Sequence, residues 1–119
     1  MNVLFLEYPK CTTCQKAKKW LDDHAVDYED RHIVEQNPQE VELAKWITKS
    51  GLPLKKFFNT SGLLYKSMNL KDKLPTLSEE EQIQLLASNG MLVKRPLLVT
   101  DRAIIPGFKE DTWKKALKI

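Results

Sequence analysis

The segment "NVLFL", residues 2–6, is a continuous apolar run of strand length, and it constrains the fold more than any other feature. A strand with no polar face has to be covered on both sides, so the chain is directed toward a sheet flanked by helices. After Pro9 the periodicity changes. Cys14, Ala17 and Leu21 recur at spacings of three and four and line one helix face. Lys16, Lys18 and Lys19 fall as the solvated face of the same amphipathic helix. "AVDYEDRHI" then alternates Val26, Tyr28 and Asp30 with polar neighbours, which predicts a second, less central strand. A crossover helix between two strands makes them parallel neighbours.

A second helix is expected from about Pro38 to Ser50, with Pro38 in its first turn and Gly51 as its stop. Residues 52–77 read as short helical pieces broken at Asn59–Gly62 and near Pro75. "SEEEQIQLLASNG" is a clear helix: Ser78 and Glu81 form a capping box, Ile83, Leu86 and Ala87 give an apolar face, and Gly90 is read as its end. "RPLLVT" and "RAIIPGF" predict two strands joined by the tight "TDR" connection, and Trp113, Ala116 and Leu117 mark a closing helix. The order is β-α-β, a helical stretch, then β-β-α. This is the plan of a thioredoxin-like α/β fold, a mixed four-stranded sheet flanked by helices with a helical insertion at about 52–90, and 1–119 is expected to be one domain.

Composition narrows the function. The formal net charge is +3, from 19 basic and 16 acidic residues, and the lysines are scattered, which gives little support to a direct nucleic-acid partner. "MNVLFLEYP" lacks the parts of a signal peptide, and no stretch approaches the roughly 20 apolar residues of a membrane span. A cytoplasmic location is expected, with no membrane partner, and there a permanent disulfide would be unusual.

The two cysteines of "KCTTC", Cys11 and Cys14, are the only ones in the chain. Zinc would need His24 and His32 as further ligands, but nine residues separate Cys14 from His24 and seven separate the histidines, which does not fit finger spacing. Both histidines are read as surface residues, His24 near a helix C-terminus. Two inert core cysteines would explain Cys14 but explain Cys11 poorly. Redox chemistry fits better. A cysteine where a buried strand feeds a helix has its thiolate stabilised by unpaired N–H groups and the helix dipole. Cys11 is the expected exposed nucleophile, and Cys14, one turn deeper, the shielded sulfur that resolves a mixed disulfide. Lys10 and any nearby guanidinium would lower the Cys11 pKa further. Pro96 stands at the mouth of a predicted strand, where X–Pro tolerates cis at a cost of roughly 0.5–1 kcal/mol, and Arg95 is within one residue of it.

"YPKCTTCQKAKKWL", "LVKRPLLV" and "GFKEDTWKKAL" together resemble the ArsC family, over essentially the whole chain. That family comprises glutaredoxin-coupled arsenate reductases, Spx-type redox regulators that bind RNA polymerase, and small reductase-like relatives. The resemblance implies a thioredoxin-like fold with a catalytic set of Cys11, Cys14 and Arg95, the last facing Cys11 beside a cis Pro96. It implies a substrate-binding set of Lys10, Thr12, Thr13 and Pro96, with no metal. The arsenate reductases use three arginines to hold the oxyanion, and here Asn59 and Pro106–Gly107 stand where the second and third are expected. An amide or a proline does not replace a bidentate guanidinium, and Lys55 and Lys56 could offer only point charges. The regulators share the cysteine pair and a glycine near Gly51, which also serves as a helix C-cap, whereas "FFNTSGLLYK" looks more like the reductase-like members, and Gln15 stands where relatives often have arginine. The resemblance thus favours a monomeric thiol–disulfide oxidoreductase with no bound cofactor. Glutathione, another low-molecular-weight thiol, or a glutaredoxin- or thioredoxin-type protein would be its reductant. A redox-sensing regulator binding RNA polymerase is the alternative.

Overall fold

The computed structural model describes residues 2–119. Strand β1 (Val3–Glu7) carries apolar side chains on both faces, and the whole architecture follows from covering them. Val3 and Phe5 pack with Ala17, Trp20 and Leu21 of helix α1 (Thr12–Asp23) and with Trp113 and Leu117 of helix α6 (Glu110–Leu117). Leu6 turns to the opposite face and joins Ile33, Leu43, Phe57, Leu86 and Leu97. Phe5 meets Trp113 edge-on at 6.1 Å. Each such buried large apolar side chain contributes roughly 1.5–3 kcal/mol of transfer free energy, so the two layers are held by the alternation within one strand.

Three further strands, β2 (Glu29–His32), β3 (Leu97–Thr100) and β4 (Ile104–Pro106), complete a sheet of order β2-β1-β3-β4. β2 is parallel to β1, with Leu4 opposite Glu29 and Leu6 opposite Arg31. β3 and β4 form an antiparallel hairpin, and β3 runs antiparallel to β1, Phe5 facing Leu98. The fold class expected from the sequence is therefore borne out, including the mixed sheet. β2 is an edge strand, as its polar composition implies, but it begins only at Glu29, so Val26 and Tyr28 pack beneath α1 before the strand starts.

Between the halves lie α2 (Glu40–Ser50), α3 (Leu63–Ser67), α4 (Leu70–Lys73) and α5 (Glu79–Ser88), with single 3₁₀ turns at Leu54–Phe57, Leu74–Thr76 and Gly90–Leu92. Two expectations at helix ends are corrected. Pro38 is not in the first turn of α2; the helix begins at Glu40, and the Gln39 N–H donates to the Glu42 carboxylate at 3.1 Å. Gly90 does not end α5, which stops at Ser88. A Cβ on Gly90 would lie 2.0 Å from the Ile33 carbonyl oxygen, so this glycine permits close backbone approach. Gly51 does close α2, in the left-handed region at φ 67°. His24 caps α1 and is exposed, with Nδ1 2.8 Å from the Trp20 carbonyl oxygen. His32 is half-buried rather than a free surface residue: its Nδ1 accepts from the Val34 and Glu35 N–H groups, and Tyr8 packs edge-on against its ring.

The last residue of β1 is a buried carboxyl. Glu7 is 5% exposed, 3.4 Å from Lys18 Nζ, which also binds Asp30 at 2.7 Å. Burial pushes the Glu7 pKa up to about 7, helped by the hydrogen bond and charge of Asp30 and opposed by Lys18. A carboxyl that binds its proton more tightly when folded contributes stability that is fully present below about pH 4.5 and is lost as pH rises through about 7. Since each pKa unit corresponds to roughly 1.4 kcal/mol, the effect is on the order of a few kcal/mol. The urea midpoint of the wild type should therefore fall more steeply between pH 4.5 and 7.5 than that of Glu7→Gln. Parallel profiles would show that Glu7 titrates alike in the folded and unfolded chain.

Candidate functional site

The turn after β1 delivers the first cysteine to the start of α1. The Cys11 N–H donates to the Tyr8 carbonyl at 2.9 Å, and the Gln15 side chain ties back to the Pro9 carbonyl at 2.9 Å. Cys11 is itself the N-cap, with extended backbone, and its Sγ accepts from the Cys14 N–H at 3.4 Å. A sulfur in this position takes up one of the donors that a helix start leaves without an intrahelical partner. Cys14, aligned with Ala17 and Leu21, has no exposed surface, and both thiols are free.

The two sulfurs are electrostatically unlike. Burial pushes the Cys11 thiol up, but hydrogen bonds from Cys14 and the charge and hydrogen bond of Arg95 outweigh it and hold the pKa below the ordinary thiol value. Burial pushes Cys14 up to about 12, and the neighbouring Cys11 adds to the rise. The result is one half-exposed sulfur biased toward thiolate and one buried sulfur biased toward thiol. Arg95 is fixed on two sides: its guanidinium lies 5.3 Å from the centre of the Tyr8 ring, and Nη1 donates to the Met91 carbonyl at 3.3 Å. The Arg95–Pro96 peptide is cis, as the family resemblance implies.

Cys11, Thr13 and Arg95 open onto one cavity of about 750 Å³, which also takes in Asn59, Leu63 and Lys94. Asn59 and Lys94 reach it through a pairing that joins the helical insertion to the strand-β3 approach. Phe58 bridges Val93, the Asn59 N–H donates to Leu92 at 2.8 Å, and the Lys94 N–H donates to Phe57 at 2.7 Å. Of the residues expected to bind substrate, Thr13 lines this cavity, Pro96 is buried beside it, and Lys10 and Thr12 are exposed outside its lining. The charge acting on Cys11 is that of Arg95. Lys55 and Lys56 are exposed on the 3₁₀ turn and do not line the cavity; Lys94 does. Nothing in the local sequence marks Lys94, Leu63 or Met91 as site residues. Lys94 is only a neighbour of Arg95 in "KRP", and the apolar pair carries no signal of its own. Pro106 pairs with Leu97, and Gly107 donates its N–H to the Pro96 carbonyl at 2.8 Å, so neither supplies a cation.

A second cavity of about 740 Å³ lies at the other end of β1, between Asp27, Lys45, Lys49 and Asp101, and holds no cysteine or histidine. Among the described residues no group of three or more His, Cys, Asp or Glu side chains is placed to hold a metal ion. No helix among them is long and apolar enough to cross a membrane.

A thioredoxin-like sheet, a cysteine pair at the first helix start, and a cis Arg95–Pro96 peptide whose arginine shares a cavity with Cys11 define the class. The chain belongs to the ArsC family, whose model matches residues 6–116. It is 53% identical over 115 residues to the uncharacterized protein YusI of Bacillus subtilis (strain 168), covering 97% of this chain and 98% of that one. Among solved structures it is similar to an ArsC family related protein from Bacteroides fragilis, at 60% identity and TM-score 0.93 over 97% of both chains. It is also similar to a possible arsenate reductase from Streptococcus mutans UA159, at 48% identity and TM-score 0.87 over 94% of this chain and 97% of that one. More distant matches include the global transcriptional regulator Spx of Enterococcus faecalis, 27% identical over 112 residues, covering 92% of this chain and 81% of the regulator.

Proposed function

We propose that this protein is a cytoplasmic thiol–disulfide oxidoreductase in which Cys11 is the nucleophile and Cys14 the resolving thiol. The observation that carries the reading is the unequal placement of the two sulfurs: Cys11 is half-exposed at the helix start and shares a cavity with Arg95, while Cys14 has no exposed surface, and their pKa values move in opposite directions. The Cys11 thiolate attacks one sulfur of a disulfide, forms a mixed disulfide and releases the first product thiolate, which takes a proton from water. Cys14 then loses its proton and attacks the Cys11 sulfur, closing the Cys11–Cys14 disulfide and releasing the second thiol. Two electrons have passed to the substrate. A low-molecular-weight thiol such as glutathione, or a dithiol protein of the glutaredoxin or thioredoxin type, returns them.

Oxyanion reduction fits the cavity less well. Asn59 is neutral, Pro106–Gly107 carries no charge, and Arg95 is the one guanidinium in the lining. Purified protein supplied with a thiol reductant should therefore turn over insulin or glutathione disulfide at least about tenfold faster than arsenate, because oriented bidentate contacts to the anion are missing. Comparable turnover of arsenate would make the protein an arsenate reductase, and recovery of RNA polymerase subunits from cytosol without any disulfide turnover would make it a regulator.

A further inference from the structure

The exchange site carries a shape and chemistry that specify its substrate, and the inference drawn from them rests on the oxidoreductase reading. We propose that Cys11 acts on disulfides of polypeptides, at a cysteine flanked by an apolar and an acidic residue.

Four observations support this choice. The cavity of about 750 Å³ is far larger than a tetrahedral anion needs, since a water molecule takes about 30 Å³, and it is of the size that encloses a ligand of several rigid groups. One wall is apolar. Leu63 is 86% exposed at the first position of α3, and Leu64 and Met91 face the same space. A single exposed leucine is ordinary, but three apolar side chains around a reacting sulfur are a surface waiting to be covered.

Asn59 supplies the third observation. It is buried, its Oδ1 accepts from the Ser61 hydroxyl at 3.4 Å, and no acceptor among the described residues takes its Nδ2 hydrogens. The absence of a side chain on Gly62 leaves the room for that amide, because a Cβ there would lie 2.6 Å from Nδ2. A donor held this way suits a peptide carbonyl, where a guanidinium would suit an oxyanion. The fourth observation is charge. No acidic residue lines the cavity, and neither Lys94 nor Arg95 has a carboxylate partner among the described ion pairs. Arg95 serves the Cys11 sulfur, which leaves Lys94 to meet an anion on the substrate. Together these features form an apolar wall, a carbonyl donor and a free cation around one nucleophile.

Short peptides whose cysteine is a mixed disulfide with thionitrobenzoate test this directly. Cys11 attacks the peptide sulfur, the S–S bond breaks, and thionitrobenzoate, the more acidic thiol, leaves as a coloured anion. Leu-Cys-Glu, Ser-Cys-Lys and the glutathione conjugate are compared on the reduced wild type, Leu63→Ser and Lys94→Gln. The Leu-Cys-Glu peptide should react about tenfold faster than the other two on the wild type, the scale of discrimination that a small apolar contact and a rim charge supply. Leu63→Ser should cut that preference several-fold, and Lys94→Gln should remove the part due to glutamate. Thionitrobenzoate release at equal rates from all three probes, or fastest from glutathione, would overturn the substrate class while leaving the exchange reaction intact. Release no faster than from free cysteine would overturn the exchange reading itself.

Discussion

Cys14→Ser should convert turnover into trapping. With a disulfide substrate in excess, the variant should accumulate a covalent adduct at Cys11 in one-to-one ratio, because the buried sulfur that would displace it is gone. Multiple-turnover rate should fall by at least about a thousandfold unless an added thiol resolves the adduct, the scale on which removing one member of a catalytic unit acts. Cys11→Ser should form no adduct at all, because Cys14 is inaccessible and its burial, which does not depend on Cys11, still holds its pKa above the ordinary thiol value. Intact-mass spectrometry after acid quenching reads both outcomes. Adduct on Cys14 in the Cys11→Ser protein would mean that the two roles are reversed.

The largest effect on stability is expected far from the sulfurs. Gly90→Ala would set a methyl group 2.0 Å from the Ile33 carbonyl oxygen and 2.8 Å from Asn37 Oδ1. The first of these atoms is backbone, held where Ile33 closes the parallel pairing by donating its N–H to Glu7 at 2.8 Å. It cannot move aside as a flexible side chain would. The cost should reach the upper end of overpacking changes, about 3 kcal/mol, seen as a lowered urea midpoint. Gly51→Ala should cost less, about 1 kcal/mol, since open space surrounds it and only its left-handed φ is strained. Equal midpoints for the two variants would contradict the packing role given to Gly90.

These two glycines also mark what the sequence could convey. Gly51 was legible, because a helix stop is a local event written in neighbouring residues. The same rule points to Gly90 as a helix end and fails there, because the reason for this glycine is a contact with Ile33, 57 positions away in the chain. The β-α-β and β-β-α halves were legible for the first reason: period-three-and-four faces and unbroken apolar runs identify helices and a doubly buried strand. Cys11, Cys14 and Arg95 were nameable because the first pair sits at a strand–helix junction and the third precedes a proline. The rest of the cavity was not. Asn59 and Lys94 converge through a single bridge, Phe58 to Val93, and one isolated pair leaves no periodicity to detect. Leu63 was hidden differently, since a leucine in a short helix reads as core until its 86% exposure is seen.

The central claim is that Arg95 and the start of α1 make Cys11 the thiolate of an unequal pair. Site-resolved iodoacetamide alkylation of the reduced protein against pH, in the wild type, Arg95→Ala and Arg95→Lys, tests it most directly. Cys11 should titrate below the roughly 8.5 of a free cysteine, while Cys14 stays almost unlabelled. Arg95→Ala should raise the Cys11 midpoint, with each unit equal to about 1.4 kcal/mol of lost preference for the thiolate, and Arg95→Lys should recover part of it. Equal labelling of the two cysteines, or a Cys11 midpoint near the free value that Arg95→Ala leaves unmoved, would contradict the account.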